Sequence, residues 1–206
     1  GLLPAAGLFA ADPFEKAGRD ERGDVFSVVA AIDAVATQNV HAINLSFAGP
    51  DNDLLERIVT AVSGRGIPLI AAAGNAGAGS PPLFPAAYSD AIAVTAIDQN
   101  RNVYRRAVRG DHIDFAAPGV NVWAAASVKG GRPKTGTSFA TPFVAAAAAL
   151  IKAGDPKATP QLISAKLSAT ASDLGEPAKD AVFGHGLIQA NGLCGSGPEP
   201  LPVSAQ

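Results

Sequence analysis

The sequence has 206 residues, 48% of them hydrophobic and 17% charged, with a formal net charge of −2; this suits one compact domain that buries roughly 70% of its unfolded surface. Lys and Arg are scattered rather than gathered into a stripe, which argues against nucleic acid or anionic lipid as a partner. The single Cys, Cys194, permits no internal disulfide, and the longest apolar run, residues 143–151, is shorter than the roughly 20 residues of a membrane span, so none is expected.

In chain order, short runs of small and branched apolar residues alternate with helical patterns. GLFAADPF (7–14), HAINLSF (41–47), IPLIAAAGN (67–75) and AIAVTAID (91–98) read as strands, because unbroken apolarity over this length fits burial on both faces. Between the first two lies DVFSVVAAIDAVATQ (24–38), where Val25, Val28, Val29, Ile32, Val35 and Ala36 recur at steps of three and four, predicting an amphipathic helix. DNDLLERIVTAVSGRG (51–66) repeats the pattern, with Asp51 or Asn52 as the cap and Gly64 or Gly66 at its end. Such alternation predicts crossovers and a parallel sheet, hence an α/β fold. Further on, DFAAPGVNVWAAAS (114–127) reads as two short strands around a Pro-Gly turn, GTSFATPFVAAAAALI (136–151) as a buried helix, and PKATPQLISAKLSATASDL (156–174) as a late helix. The expected domain covers 1–194, followed by a Gly- and Pro-rich tail, 195–206.

Ligands of an open parallel sheet bind beyond the carboxyl ends of its strands, which directs attention to SFAGP (46–50) and AAGNAG (72–77). GGRPKTGTS (130–138) has the glycine spacing of a phosphate loop, but Thr137 stands where that loop needs Lys. Around Ser138 the G-x-S-x-G elbow fails as well, since its fifth position is Ala140 and no clear strand precedes it. His41, His112 and His185 lie far apart, so no metal site is assigned. A hydroxyl at the start of a helix is the remaining chemistry: free backbone N–H groups and the positive end of the macrodipole favour an oxyanion beside Ser138. The plainer alternative is a Ser or Thr that merely caps the helix.

GTSFATPFVA closely resembles the G-T-S-x-A-x-P-x-V-A segment of the subtilisin-like serine proteases, the subtilases. AINLSFAGP, IPLIAAAGNAG, LFPAAYSDAIAVTAID, DFAAPGVNVWAA and FGHGLIQA resemble the family's other landmarks in the same order, to about residue 193. The resemblance implies a three-layer α/β fold with a mainly parallel sheet, and a cis Phe84–Pro85 bond. It implies that Ser138 attacks the scissile carbonyl while its N–H and the Asn75 side chain hold the oxyanion, an Asn role worth about 3–4 kcal/mol in subtilisin itself. Ser46, Phe47, Ala48 and Gly49 would face the substrate backbone on one side, with Ala73 and Gly74 opposite. Ala48 and Ala146 stand where the family usually has Gly.

Neither the D-T-G turn nor the H-G-T-H motif that carries the family's catalytic Asp and His occurs here, and Asp33 lies within a predicted helix. GLLPAAGLFAADPF resembles the segment just after the family's His helix, so the chain is expected to be the C-terminal part of a subtilase catalytic domain lacking its N-terminal strands. The expected function is a serine endopeptidase acting on peptides or proteins through an acyl-enzyme, with its His and Asp supplied by an N-terminal portion of the same gene product. The alternative is an inactive peptide-binding or assembly module. No cofactor is evident; calcium and export from the cell are implied by the resemblance alone.

Overall fold

The computed structural model describes residues 2–18, 20–125 and 130–191. Cys194 and the tail at 195–206 lie outside them. Four strands form the central sheet: β3 (Ile43–Leu45), β4 (Leu69–Ala72), β5 (Ala91–Ile97) and β6 (Phe115–Pro118), in the order β3-β4-β5-β6 and all parallel. Two antiparallel pairs lie outside it, β1 (Glu15–Ala17) with β2 (Asp20–Arg22) and β7 (Val122–Ala125) with β8 (Gly131–Lys134).

Helices cover both faces of the sheet, which explains why β4 and β5 are buried at every position. Leu69, Ala71, Ala91 and Ala93 point to the face packed by Val28, Ile32 and Ala36 of α1 (Val25–Ala36) and by Leu55, Val59 and Val62 of α2 (Asp53–Gly64). Ile70, Ile92, Val94 and Ala96 point the other way, to Val144, Ala148 and Ile151 of α3 (Thr137–Gly154) and Ile163 and Leu167 of α4 (Pro160–Thr170). The period of two in the strands thus sorts one continuous apolar run into two cores, and each fully buried Val, Leu or Ile side chain contributes about 1.5–3 kcal/mol. The expected three-layer α/β arrangement is what the chain forms.

Local chemistry sets the helix ends. Asn52, not Asp51, caps α2, accepting from the N–H groups of Leu54 and Leu55 at 3.0 and 3.3 Å. Thr159 caps α4, with Pro160 in the first helical turn where its missing N–H costs nothing. α3 has the length and apolarity of a membrane span, but it packs beneath β4, β5 and β6 and against α4, so it is a core helix.

Three sequence readings are corrected. Residues 7–14 form no strand: Leu8 is 90% exposed, Pro13 lacks a donor, and the first strand is the short β1, which among the described residues pairs with β2 alone. A strand does precede Ser138 closely, since β8 ends at Lys134. Ser138 is also not the cap of α3: that position belongs to Gly136, no side chain caps the helix, and Ser138 lies in its first turn. The Phe84–Pro85 bond is cis, as the resemblance implied.

Candidate active site

Three segments meet at the carboxyl ends of the parallel strands: the residues after β3, those after β4, and the first turn of α3. Ser46, one residue past β3, donates its hydroxyl hydrogen to the backbone oxygen of Ser138 at 2.9 Å and accepts from the Asn44 amide at 2.8 Å. After β4, the N–H of Gly74 donates to Thr137 Oγ1 at 3.1 Å. Thr137 returns the tie twice, donating its N–H to Asn75 Oδ1 at 3.0 Å and its hydroxyl to the same oxygen at 3.2 Å. Thr137 is fully buried, and its own carbonyl accepts from the Thr141 hydroxyl at 2.9 Å.

This network fixes the orientation of the Asn75 amide. A backbone N–H can only donate, so the group facing Thr137 must be the amide oxygen, which turns the Nδ2 hydrogens away. Among the described residues Asn75 Nδ2 and Ser138 Oγ make no hydrogen bond, and both residues line one open cavity of about 330 Å³. Phe47, Ala48, Gly74 and Thr137 line it too, together with Ala72, Ala76, Leu83 and Arg106. The half-buried Ser138, the Asn75 amide group turned away from Thr137 and the start of α3 therefore border one space, an arrangement suited to a nucleophile beside a forming oxyanion.

Of the remaining predicted residues, Ala73 is buried just past the end of β4 and donates its N–H to the Val94 oxygen at 3.0 Å. Gly49 exchanges both backbone hydrogen bonds with Phe84, at 2.8 and 2.9 Å. Neither lines the cavity. Gly74 has φ +101°, and a Cβ there would sit 2.6 Å from Leu83 Cδ1 and 3.4 Å from the Ala48 methyl, so a larger residue would be strained in its backbone and would have to displace the Leu83 side chain.

Sequence reasoning passed over Thr137, Leu83 and Arg106, and also Phe14, whose ring meets that of Phe47 edge-on at 5.6 Å. Thr137 had a signal in the G-T-S motif itself; the others arrive from distant segments and had none.

The three histidines are elsewhere. His41 is exposed just before β3, and His112 is half-buried in the loop ahead of β6. His185 lies against the ring of Phe115 and lines a second cavity of about 350 Å³, with Asp90 and Asp114, at the amino ends of the strands. Asp33 is exposed in the middle of α1, 3.9 Å from Arg65. Among the described residues no group of three or more His, Cys, Asp or Glu side chains gathers to hold a metal ion.

The landmark segments around Ser46, Asn75 and Ser138 are thus brought together in space, and the sequence profile of the subtilase family matches residues 1–186. The chain belongs to the subtilase family. It is 37% identical over 191 residues to subtilisin BL of Lederbergia lenta, covering 92% of this chain and 68% of that protein. To the minor extracellular protease Epr of Bacillus subtilis (strain 168) it is 33% identical over 190 residues, again 92% of this subtilase but only 29% of the relative. Among solved structures it resembles the prenylagaramide maturation protease PagA, with a TM-score of 0.72 and 25% identity, over 82% of this subtilase and 66% of that chain.

Proposed function

We propose that this subtilase chain provides the nucleophile, oxyanion hole and peptide cleft of a serine endopeptidase. Ser138 Oγ attacks the scissile carbonyl carbon and gives up its proton to a base; the C–N bond then breaks, the amine leaves with that proton, and the acyl group remains as an ester on Ser138 until water hydrolyses it. Asn75 Nδ2 and the Ser138 N–H hold the carbonyl oxygen while it is negative. Ser46, Phe47 and Ala48 flank the bound peptide across the cleft from Gly74.

The single observation supporting this reading is the tether of Asn75 Oδ1 to Thr137, which turns Nδ2 away from Thr137 on a residue that lines the same cavity as Ser138. No His or carboxylate lines that cavity among the described residues, so the base and its orienting Asp are proposed to come from an N-terminal portion of the same gene product. Without them, only about 10³- to 10⁴-fold acceleration over water is expected from the isolated chain. Export from the cell is proposed by kinship with relatives such as Epr, which is named an extracellular protease.

A fluorophosphonate probe tests the nucleophile. In the presence of the N-terminal portion, wild-type protein should be labelled and Ser138→Ala should not; an unlabelled wild type, or labelling that survives the substitution, would end the proposal. The missing base favours a second reading, a peptide-binding module without turnover. For that reading the complete gene product would bind peptide yet remain unlabelled.

A further inference from the structure

The charge on the cavity wall carries a substrate preference that the apolar lining does not. Arg106 is the one charged residue lining the cavity among the described residues, and its Nε–H donates to the backbone oxygen of Asn75 at 3.2 Å. The surrounding loop is tied to the same wall, with Gly77 donating to the Arg106 oxygen at 2.8 Å and Val108 donating to the Gly74 oxygen at 3.1 Å. No described carboxylate pairs with this guanidinium. Its terminal nitrogens make no hydrogen bond among the described residues, so their N–H groups remain available to an acceptor that enters from solvent. Arg101, Arg105 and Arg109 share the loop, which Asp98 and Asp111 bound, so its basic residues outnumber its acidic ones although the chain carries a net −2.

We propose that Arg106 selects peptides carrying an acidic side chain next to the residue that occupies the cavity. A planar guanidinium held by one N–H presents its remaining donors to a carboxylate, a charge-assisted and geometrically specific contact. The opposite walls, Phe47, Ala48 and Leu83, take an apolar or small neighbour, so the preferred sequence pairs an apolar residue with Asp or Glu. This selection rests on the peptide-cleft reading above, but not on turnover.

Fluorescein-labelled octapeptides of Ala, Ser and Leu, with capped termini and one Glu or one Gln scanned through each position, test it by anisotropy on the Ser138→Ala chain together with the N-terminal portion. Capping removes the terminal carboxylate, so any preference belongs to the side chain. At one position or two adjacent ones, Glu should bind about fivefold tighter than Gln at low salt, the modest size reflecting the exposure of Arg106, and the ratio should shrink as salt screens the pair. Arg106→Ala should bring the ratio to about one, and Arg106→Glu should invert it. Equal binding of Glu and Gln peptides at every position, a preference that survives Arg106→Ala, or no peptide binding at all would overturn the proposal. Fluorophosphonate labelling of the wild type is read separately, so failure of the nucleophile and failure of the acidic preference are distinct results.

Discussion

Thr137 holds Asn75 in place: its backbone N–H and its hydroxyl both donate to Asn75 Oδ1, at 3.0 and 3.2 Å. The two side chains come from opposite halves of the chain, 62 residues apart, yet one sets the direction in which the other can donate. The same hydroxyl accepts from Gly74, so a single buried Thr satisfies both the Asn75 amide oxygen and the Gly74 N–H beside the nucleophile.

Asn75→Leu should slow fluorophosphonate labelling of the complete product by about 10²- to 10³-fold with the fold intact, since the oxyanion donor is lost. Thr137→Val keeps the N–H tether but strands the Gly74 N–H. It should cost about 1–3 kcal/mol of stability, read by urea unfolding, and slow labelling less than Asn75→Leu does. Equal labelling rates for wild type and Asn75→Leu would remove Asn75 from the oxyanion role.

Gly74→Ala is expected to destabilise by about 1–3 kcal/mol, because the left-handed backbone and the contact with Leu83 both penalise a methyl group. Adding Leu83→Ala relieves only the contact. Partial recovery of the urea midpoint in the double variant is the expected signature, and full recovery would mean that φ contributes nothing.

His112 gives stability a pH dependence. Burial holds its pKa below the ordinary value of 6.5; Asp114 and Asp111 oppose that shift and Lys179 adds to it. Its Nε2 is buried without a partner among the described residues. With the folded pKa below the unfolded one, the unfolded chain binds more protons in the window between them, so stability falls as pH drops below about 6.5 and levels off beneath the folded pKa. The melting temperature should follow that course, and His112→Gln should flatten it; an unchanged slope in the variant would assign the dependence to other groups.

Two adjacent leucine-type positions on α4 should behave oppositely. Ile163 is fully buried, and Ile163→Ala should cost about 2–5 kcal/mol, whereas Leu162 is 42% exposed and Leu162→Ala should stay within about 0.5 kcal/mol. Urea unfolding measures both.

Most of the architecture was legible in the sequence because burial leaves a pattern in it. The runs at 67–75 and 91–98 could be strands only if both faces were covered, and the three- and four-residue spacing in α1 and α2 supplied one cover. GLFAADPF carried the same apolar signal and failed, because a strand also needs a partner, and pairing is a property of the assembled sheet. By itself the sequence determined the kinship, the parallel α/β frame, and the candidacy of Ser138 and Asn75 through ordered motifs. Only the tertiary structure decided that Gly136 rather than a hydroxyl begins α3, that Thr137 aims the Asn75 amide, and that Arg106 stands at the cavity wall. Those relationships depend on distance and direction between side chains dozens of residues apart, and local composition does not encode either.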